Sequence, residues 1–454
     1  MSEEHKRESF TGKLGFVMAA AGSAVGLGNI WRFPYLAEQY GGGIFLLVYL
    51  ILVVTFGFTL MITEITFGRR TGKSCIEAFS SLSKKHAFIG WLAALVPIII
   101  VPYYCVIGGW VTKYFAEFAI GCGSEAAGAT FFTDFVTCSL PGVFDSPIPW
   151  FLLFGGLAVL VVALGVEKGI EKVSKVLMPV LLVLMVVISA YALIQPGAGE
   201  GLKYYLLPDF SQFSMSTILG ATGQLFYSMS LAMGIMITYG SYMKKDVNVE
   251  KSVRQISIMD TGVAFLAGLM IVPSVIAAGG DMVSGPGLMF QTLPMVFESM
   301  PAGHLVGAVF FFLVIIAALT SAISLAETVV SMIRDRLKWT RINASIVVMV
   351  LIAGLGMLSC VGYGPLDWFT VGGMAFLDLS DFITNSVLMP IVAILTCLFI
   401  GYVVGTKYIS DEVKLSGNFA FEKPYNILVK YICPVLLFLI LVTGLLSMLG
   451  IYSI

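Results

Sequence analysis

Charge is what this sequence has least of. Lys, Arg, Asp and Glu make up 12% of its 454 residues, about half the share of a soluble domain. With 58% hydrophobic residues and a mean hydropathy of +0.95, the chain reads as an integral membrane protein. Histidine is nearly missing: His5, His86 and His304 fall at the terminus or in loops. The seven cysteines lie mostly inside apolar runs and form no CxxC, so neither set reads as a metal site. A net charge of −1 leaves no basic face for nucleic acid. Ser and His show no triad-like arrangement and no catalytic metal motif occurs, which leaves an enzyme the least supported class.

What is present is apolar sequence in spans. Runs long enough for about 30 Å of hydrocarbon recur along the whole length, so neither a cleavable signal peptide nor a single anchor explains them. Eleven spans are expected, at 12–37, 42–68, 87–119, 148–165, 172–194, 216–240, 253–278, 304–333, 342–360, 376–402 and 427–450. Lys and Arg favour cytoplasmic loops. With the N-terminus inside, all but Arg32, Lys113 and Lys203 fall in cytoplasmic segments or adjoining helix ends, and the outer loops near 121–147, 280–303 and 361–375 carry none. The expected protein is therefore multi-pass in a bacterial-type plasma membrane, N-terminus cytoplasmic and C-terminus extracellular. Cys122 and Cys138 share the long outer loop, but nothing in the sequence fixes their separation, and a disulfide between them stays open.

Two spans carry an anomaly. Residues 16–35, FVMAAAGSAVGLGNIWRFPY, are interrupted by Gly22, Gly26, Gly28 and Asn29, and residues 228–234 read SMSLAMG. Five helices separate the breaks, and an odd repeat length turns the second half over in the membrane, the signature of an inverted-topology transporter. The chain is then a single transporter domain (1–454) with a first five-helix repeat at 12–194, a second, inverted one at 216–402 and an additional helix at 427–450. An unwound segment in lipid strands backbone groups at several kcal/mol each, so it survives only where protein or a cavity covers it. Free carbonyls are hard ligands for a small cation, and half-helix N–H groups bind a carboxylate. Together they suit an amino acid and Na⁺. Close helix packing on the glycines is the alternative, and Asn29 and the matching second break weigh against it.

Four carboxylates fall inside spans, where each is costly. Glu64 and Glu327 read as hydrogen-bonded to backbone freed by the breaks. Asp260 has no local cationic partner and reads as a cation ligand. Asp381 and Arg32 sit at the outer side, either as a gate pair or as a snorkelling Arg beside a solvated Asp. In AALTSAISLAE (317–327), Thr320, Ser321 and Ser324 either bond back to their own helix or, beside exposed carbonyls, make a neutral Na⁺ site.

In order along the chain, KLGFVMAAAGSAVGLGNIWRFPY, QYGGGIF, LMITEITFGR, YYCVIGGW, LFYSMSLAMGIMITYGSY, SGPGLMF, AALTSAISLAE and TVGGMAFLDLSDF cover nearly its whole length. With these motifs the sequence resembles the neurotransmitter:sodium symporter family, of LeuT-type fold, and most of all its bacterial eleven-helix amino acid transporters; Tyr40 departs from the common Asn. The resemblance implies two Na⁺. One would lie on Ala24, Asn29, Ser228, Asp260 and the substrate carboxylate, the other on Gly22, Val25, Ala317, Thr320 and Ser321. It also implies an amino acid held by Ala24, Leu27, the Gly28 region, Tyr104 and the carbonyls around Tyr227, Ser228 and Ser230, its side chain facing Ile100, Met233, Ser321 and Leu325. Outer gates would be Tyr104, Tyr227, Arg32 and Asp381 with Gln224 bridging, and inner ones Arg7, Asp335 and Tyr242. The Gly169-x9-Pro179 stretch would unwind to admit water, or simply start a helix.

Asp260 stands where Cl⁻-dependent relatives carry Asn, so the implied transport is Cl⁻-independent. Methionine is flexible, and Met233 implies large hydrophobic L-amino acids such as tyrosine, tryptophan and leucine. Gly26, lacking a carboxylate, argues against monoamines. The remaining partners would be membrane lipid and at most a weak dimer. An amino acid sensor, a channel and a proton-coupled carrier on the same fold are the rivals.

Overall fold

The computed structural model describes residues 7–279 and 285–448. His5, positions 280–284 of the expected outer loop (with Ser284 of SGPGLMF) and the end of the expected last span lie outside the described residues. Among those described, the architecture is helical, with only two isolated β-bridges, Gly42 to Pro208 and Val371 to Met374. In chain order the main helices are α1 (Lys13–Ala24), α2 (Gly28–Gln39), α3 (Gly43–Thr71), α4 (Lys84–Ile120), α5 (Pro147–Ala163), α6 (Val166–Leu193), α7 (Met215–Ser228), α8 (Ile235–Ser241), α9 (Val249–Ala277), α10 (Gly303–Leu337), α11 (Arg341–Cys360), α12 (Phe376–Gly405) and α13 (Glu422–Leu446).

Eight of these are long and apolar enough to cross a membrane, or nine if α1 and α2, bent by 56° to one another, count as one span. Pro147–Ala163 is apolar but has only 17 residues. The α7–α8 pair is interrupted over 229–234. Every expected span coincides with one of these helices or broken pairs. Ends differ by a few residues where a cap decides them: α9 starts at Val249 rather than 253 because the Asn248 side chain accepts from the Lys251 N–H at 2.8 Å.

Burial sorts the helices into a centre and a rim. In α4, 78% of the apolar window is enclosed by protein, whereas in α13 only 22% is, so α4 is a central post and α13 presents its side chains outward. The half-helix α8 is held against α3 backbone to backbone. A Cβ on Gly68 would stand 1.8 Å from the Ile237 carbonyl oxygen, and one on Gly240 2.2 Å from that of Ile65. Glycine is needed here for the close approach, not for its turn geometry.

Below this contact Arg69, fully buried, meets Glu412 at 2.9 Å and donates to the Val247 carbonyl at 2.8 Å. Lys245 reaches the same carboxylate at 2.6 Å. These bonds join the end of α3 to the loop before α9 and to the short helix Lys407–Lys414. Of the two readings of 169–179, the structure shows the helix start: Val166–Glu171 is a π turn that runs into an α-helix continuous through Pro179. Cys122 and Cys138 are free thiols, so the open disulfide is not formed.

Because the obstruction at Gly68 is backbone, which cannot rotate away, Gly68→Ala should destabilise by about 3 kcal/mol or more, at or beyond the usual cost of overpacking. A thermal-unfolding midpoint unchanged from wild type in detergent would refute the close contact.

Candidate functional site

The first break is narrower than the sequence pattern implied. α1 ends at Ala24, Val25 turns extended (φ −71°, ψ 105°), and winding resumes at Gly28 with a π turn, Gly28–Arg32. Asn29 closes the gap: its side-chain oxygen accepts from the Gly26 N–H at 3.0 Å. The second break follows Ser228. Ser230 (φ +52°) and Ala232 (φ +59°) take left-handed conformations that cost non-glycine residues about 1–3 kcal/mol each. Glu64 of α3 offsets part of this by accepting from the Ala232 N–H at 2.7 Å, the backbone role expected of it.

The two breaks face each other. The Ser230 hydroxyl donates to the Ser23 carbonyl at 2.9 Å. The Asn29 amide donates to the Ser228 hydroxyl at 2.9 Å and to Asp260 Oδ1 at 2.8 Å, and Ser228 donates to the same Oδ1 at 2.9 Å. Asp260 is fully buried. Its second oxygen, Oδ2, finds no partner among the described residues.

Beside this network lies a narrow cavity of about 30 Å³. All eleven positions expected to hold the substrate line it: Ala24, Leu27 and Gly28 from the first break, Ile100 and Tyr104 from α4, Tyr227, Ser228, Ser230 and Met233 from the second break, and Ser321 and Leu325 from α10. The Leu27 N–H points to the Tyr104 hydroxyl at 3.4 Å. Ser23 and Ile235 line it too and were missed. Ser23 had a signal, being the one hydroxyl inside the glycine-punctured run; Ile235 had none, as it reads like any apolar helix residue.

A second oxygen cluster joins α10 to the first break. Ser321 Oγ lies 3.4, 3.1 and 3.1 Å from the carbonyls of Gly22, Ser23 and Val25. Thr320 Oγ1 lies 3.1 Å from the Ala317 carbonyl, and a Cβ on Gly22 would stand 3.2 Å from the Thr320 Cβ. Thr320 therefore bonds back within its helix while sitting beside Gly22.

At one end of the cavity Arg32 and Asp381 make no ion pair within 4.0 Å, contrary to the gate expected of them. The Arg32 guanidinium instead lies 5.3 Å over the Tyr227 ring, while Asp381 accepts from Tyr103 at 3.1 Å and Asn385 at 2.5 Å. Gln224 bridges neither and donates to the Gly28 carbonyl at 2.8 Å. The physical reason is space: Arg32 borders a second cavity of about 370 Å³, and Tyr227 lines both cavities as the partition between them.

The opposite end is closed. Arg7 pairs with Asp335, donates to Ser241 and Ser331 at 2.6 and 3.1 Å and lies 4.8 Å over Tyr242. Asp335 also accepts from the Ser74 N–H at 2.8 Å. Glu327 does not serve the breaks as expected. It pairs with Arg341 at 2.6 Å and accepts from Tyr242 at 2.6 Å, because α11 begins with an arginine facing it. Glu8 completes the cluster with Arg334 at 2.7 Å and Arg341 at 2.8 Å. Burial works against its charge, but Arg341, the Val166 N–H and Arg334 outweigh it and hold its carboxyl below the usual carboxylate range.

The family model described as the sodium:neurotransmitter symporter family matches residues 7–121 and 145–452. The chain belongs to that family. It is 36% identical over 464 residues to the sodium-dependent transporter YhdH of Bacillus subtilis, covering 99% of both chains. A sodium-dependent transporter of Methanocaldococcus jannaschii is 33% identical, over 95% of this chain and 89% of its own. The human sodium- and chloride-dependent GABA transporter 2 is 26% identical, over 90% and 75%. Among solved structures, that of MhsT in complex with L-phenylalanine superposes with a TM-score of 0.86 at 36% identity, covering 96% of this chain and all of that one. The protein is thus a sodium-dependent membrane transporter, not an enzyme.

The closed end yields a test through a native thiol. Cys75 is fully buried and follows Ser74, whose N–H holds Asp335. Arg7→Ala removes a charge-assisted pair only partly screened by solvent, and should raise the rate of maleimide labelling at Cys75 several-fold, about 1–2 kcal/mol of shifted opening. An unchanged rate, resolved by peptide mass, would show that Arg7 does not hold this end shut.

Proposed function

We propose that the protein is a sodium-coupled symporter that imports L-amino acids with large hydrophobic or aromatic side chains by alternating access, using two Na⁺ and no Cl⁻. The observation that carries this reading is the buried Oδ2 of Asp260, unpartnered among the described residues, beside the cavity where the two breaks meet. A buried carboxylate oxygen without a partner is costly, and a small hard cation is the species that would satisfy it among hydroxyl and carbonyl oxygens. The first Na⁺ would lie with Asp260, Ser228, Asn29 and the Ala24 carbonyl. The second would take the Gly22, Val25 and Ala317 carbonyls with Thr320 and Ser321, displacing the hydrogen bonds those hydroxyls now make.

The substrate carboxylate would meet the N–H groups at Leu27 and Gly28 and the Tyr104 hydroxyl, where a half-helix start favours an anion. Its ammonium would meet carbonyls around Tyr227, Ser228 and Ser230. Ile100, Met233 and Leu325 would enclose the side chain. MhsT, which holds L-phenylalanine, supports that side-chain class. In this reading the helices form eleven spans, two inverted five-helix repeats (12–194 and 216–402) and an additional last helix, with Arg7 at the cytoplasmic side and Arg32 at the extracellular side.

Coupling requires sodium to bind the outward-facing state better than the inward-facing one. Both proposed ion shells include first-break residues from α1 and the turn after it, so ion binding acts on the element whose movement would open either side.

Liposome counterflow separates this reading from its rivals. Labelled phenylalanine, tyrosine or leucine should exchange with Na⁺ present and not with K⁺ at constant pH. Exchange unaffected by Na⁺ but driven by a pH gradient would mean a proton-coupled carrier, and binding without exchange a sensor.

Asp260 makes the finer claim about chloride testable. Uptake by wild type should be unchanged when chloride is replaced by gluconate. Asp260→Asn should raise the half-saturating Na⁺ concentration about tenfold or more, since a unit charge about 4 Å from a cation contributes about 4 kcal/mol at an effective dielectric of 20. Collapse of wild-type uptake without chloride would overturn the assignment.

A further inference from the structure

A groove of about 600 Å³ lies between α3 and α9 on the outside of the bundle and shares no lining residue with the central cavity. Leu50, Val53, Val54, Phe58 and Phe265 make its walls apolar. Leu50 and Val54 are 42% and 63% exposed, so the groove opens toward the surroundings of the transporter, which for these helices is lipid. Phe58 meets Phe421 edge-on at 5.1 Å and closes one end.

One feature separates this groove from ordinary lipid-facing surface. Four polar residues of α9, Glu250, Arg254, Ser257 and Thr261, line it, and their spacing puts them on one helix face. At 1.5 Å rise per residue, Glu250 lies about 6 Å to one side of Arg254 along the axis, with Ser257 about 4.5 Å and Thr261 about 10 Å to the other. Arg254 is exposed and makes no hydrogen bond or ion pair among the described residues.

Ser257 is 5% exposed, yet its hydroxyl, like that of Thr261, has no partner among the described residues. Helical Ser and Thr commonly bond back one turn to their own backbone. These two do not, and both line the groove. Glu250 accepts from the Ala420 N–H through Oε2, at 3.0 Å, and its other oxygen makes no hydrogen bond among the described residues.

Read along the axis, the stripe is anion, cation, hydroxyl, hydroxyl, then apolar wall. That is the complement of a zwitterionic glycerophospholipid running from headgroup to acyl chain. We propose that the α3–α9 groove binds one phosphatidylethanolamine-type lipid, its ammonium on Glu250, its phosphate on Arg254, its ester oxygens on Ser257 and Thr261 and an acyl chain along Leu50, Val53 and Phe265.

The acidic residue at the headgroup end selects the lipid class. Phosphatidylglycerol has no ammonium to pair with Glu250, and a quaternary ammonium has no N–H to donate to it. Asp260 projects from the same two turns of α9 into the interior, so a lipid seated here would fix the helix that carries the central carboxylate. The inference rests on the groove and on membrane residence, not on the substrate or the ions proposed above.

The test is lipid retention by the full-length protein, delipidated in detergent and titrated with dioleoyl phosphatidylethanolamine, phosphatidylcholine or phosphatidylglycerol, with bound lipid counted by native mass spectrometry. Wild type should retain the ethanolamine lipid at about fivefold lower concentration than either of the others, the worth of one charge contact near a membrane surface. Arg254→Ala should lose retention of all three by a similar factor. Arg254→Gln, which keeps the stem and polarity, should do the same with an unchanged elution profile, separating lost binding from misfolding. Glu250→Gln retains an acceptor for the Ala420 N–H and should abolish the preference for ethanolamine while leaving binding intact. Equal retention of the three lipids by wild type, preference for the glycerol lipid, or retention indifferent to both Arg254 variants would overturn the proposal.

Discussion

Everything in this structure turns on a backbone obligation. Two helices stop winding inside the protein, and the N–H and C=O groups they free must find partners where no bulk water reaches. The chain meets this locally and across the gap at once. Asn29 serves the first break by accepting from Gly26, then crosses to the second through Ser228 and to α9 through Asp260. Glu64 serves the second break from α3, and Ser230 returns a bond to Ser23. Each break is part of the other's solution, so neither half-helix can be described without its partner.

That mutual dependence explains why polar residues concentrate in the middle of so apolar a chain. A network of this kind is favourable only when every member is satisfied. The atom left over is therefore informative. Asp260 shares its Oδ1 with two donors and leaves Oδ2 without any, and it does so next to the cavity that the breaks enclose. That oxygen lies at the junction of α1, α2, α7 and α9, which is why the first proposed Na⁺ is set there.

The parts of this arrangement that were legible in the sequence share one property: they violate the rule for their surroundings. Glycine, asparagine and serine in the middle of an apolar span, or a carboxylate without a cation nearby, stand out against hydrocarbon-compatible sequence, and the cavity-lining positions followed from them with the help of the motif order. Ile235 lines the same cavity and was missed because an isoleucine in an apolar helix violates nothing. Tertiary pairing was less readable. Glu327 looked like a servant of the breaks but meets Arg341, fourteen residues later on the next helix, since sequence does not say how the turn after α10 swings that arginine back. The close approach of α8 to α3 was hidden for the same reason. Gly68 and Gly240 read as ordinary small residues until the two backbones are seen to touch.

The two ends of the molecule are held by different physics, and this difference sets which one can yield. At the Arg7 end, charges with opposite partners interlock across the N-terminal segment, α8, α10 and α11, each carboxylate engaged by a cation, hydroxyl or backbone N–H. Removing Arg341 would leave the fully buried Glu327 without a cationic partner, so these pairs are not independent of one another. At the Arg32 end there is no such lock. A guanidinium rests over the Tyr227 ring beside a large cavity, a contact of about 0.5–2 kcal/mol depending on its solvation, and Asp381 is occupied elsewhere. The conformation described here is thus bolted on one side and only latched on the other. Among the described residues Tyr227 alone lines both cavities, so its movement would connect the inner cavity with the outer one.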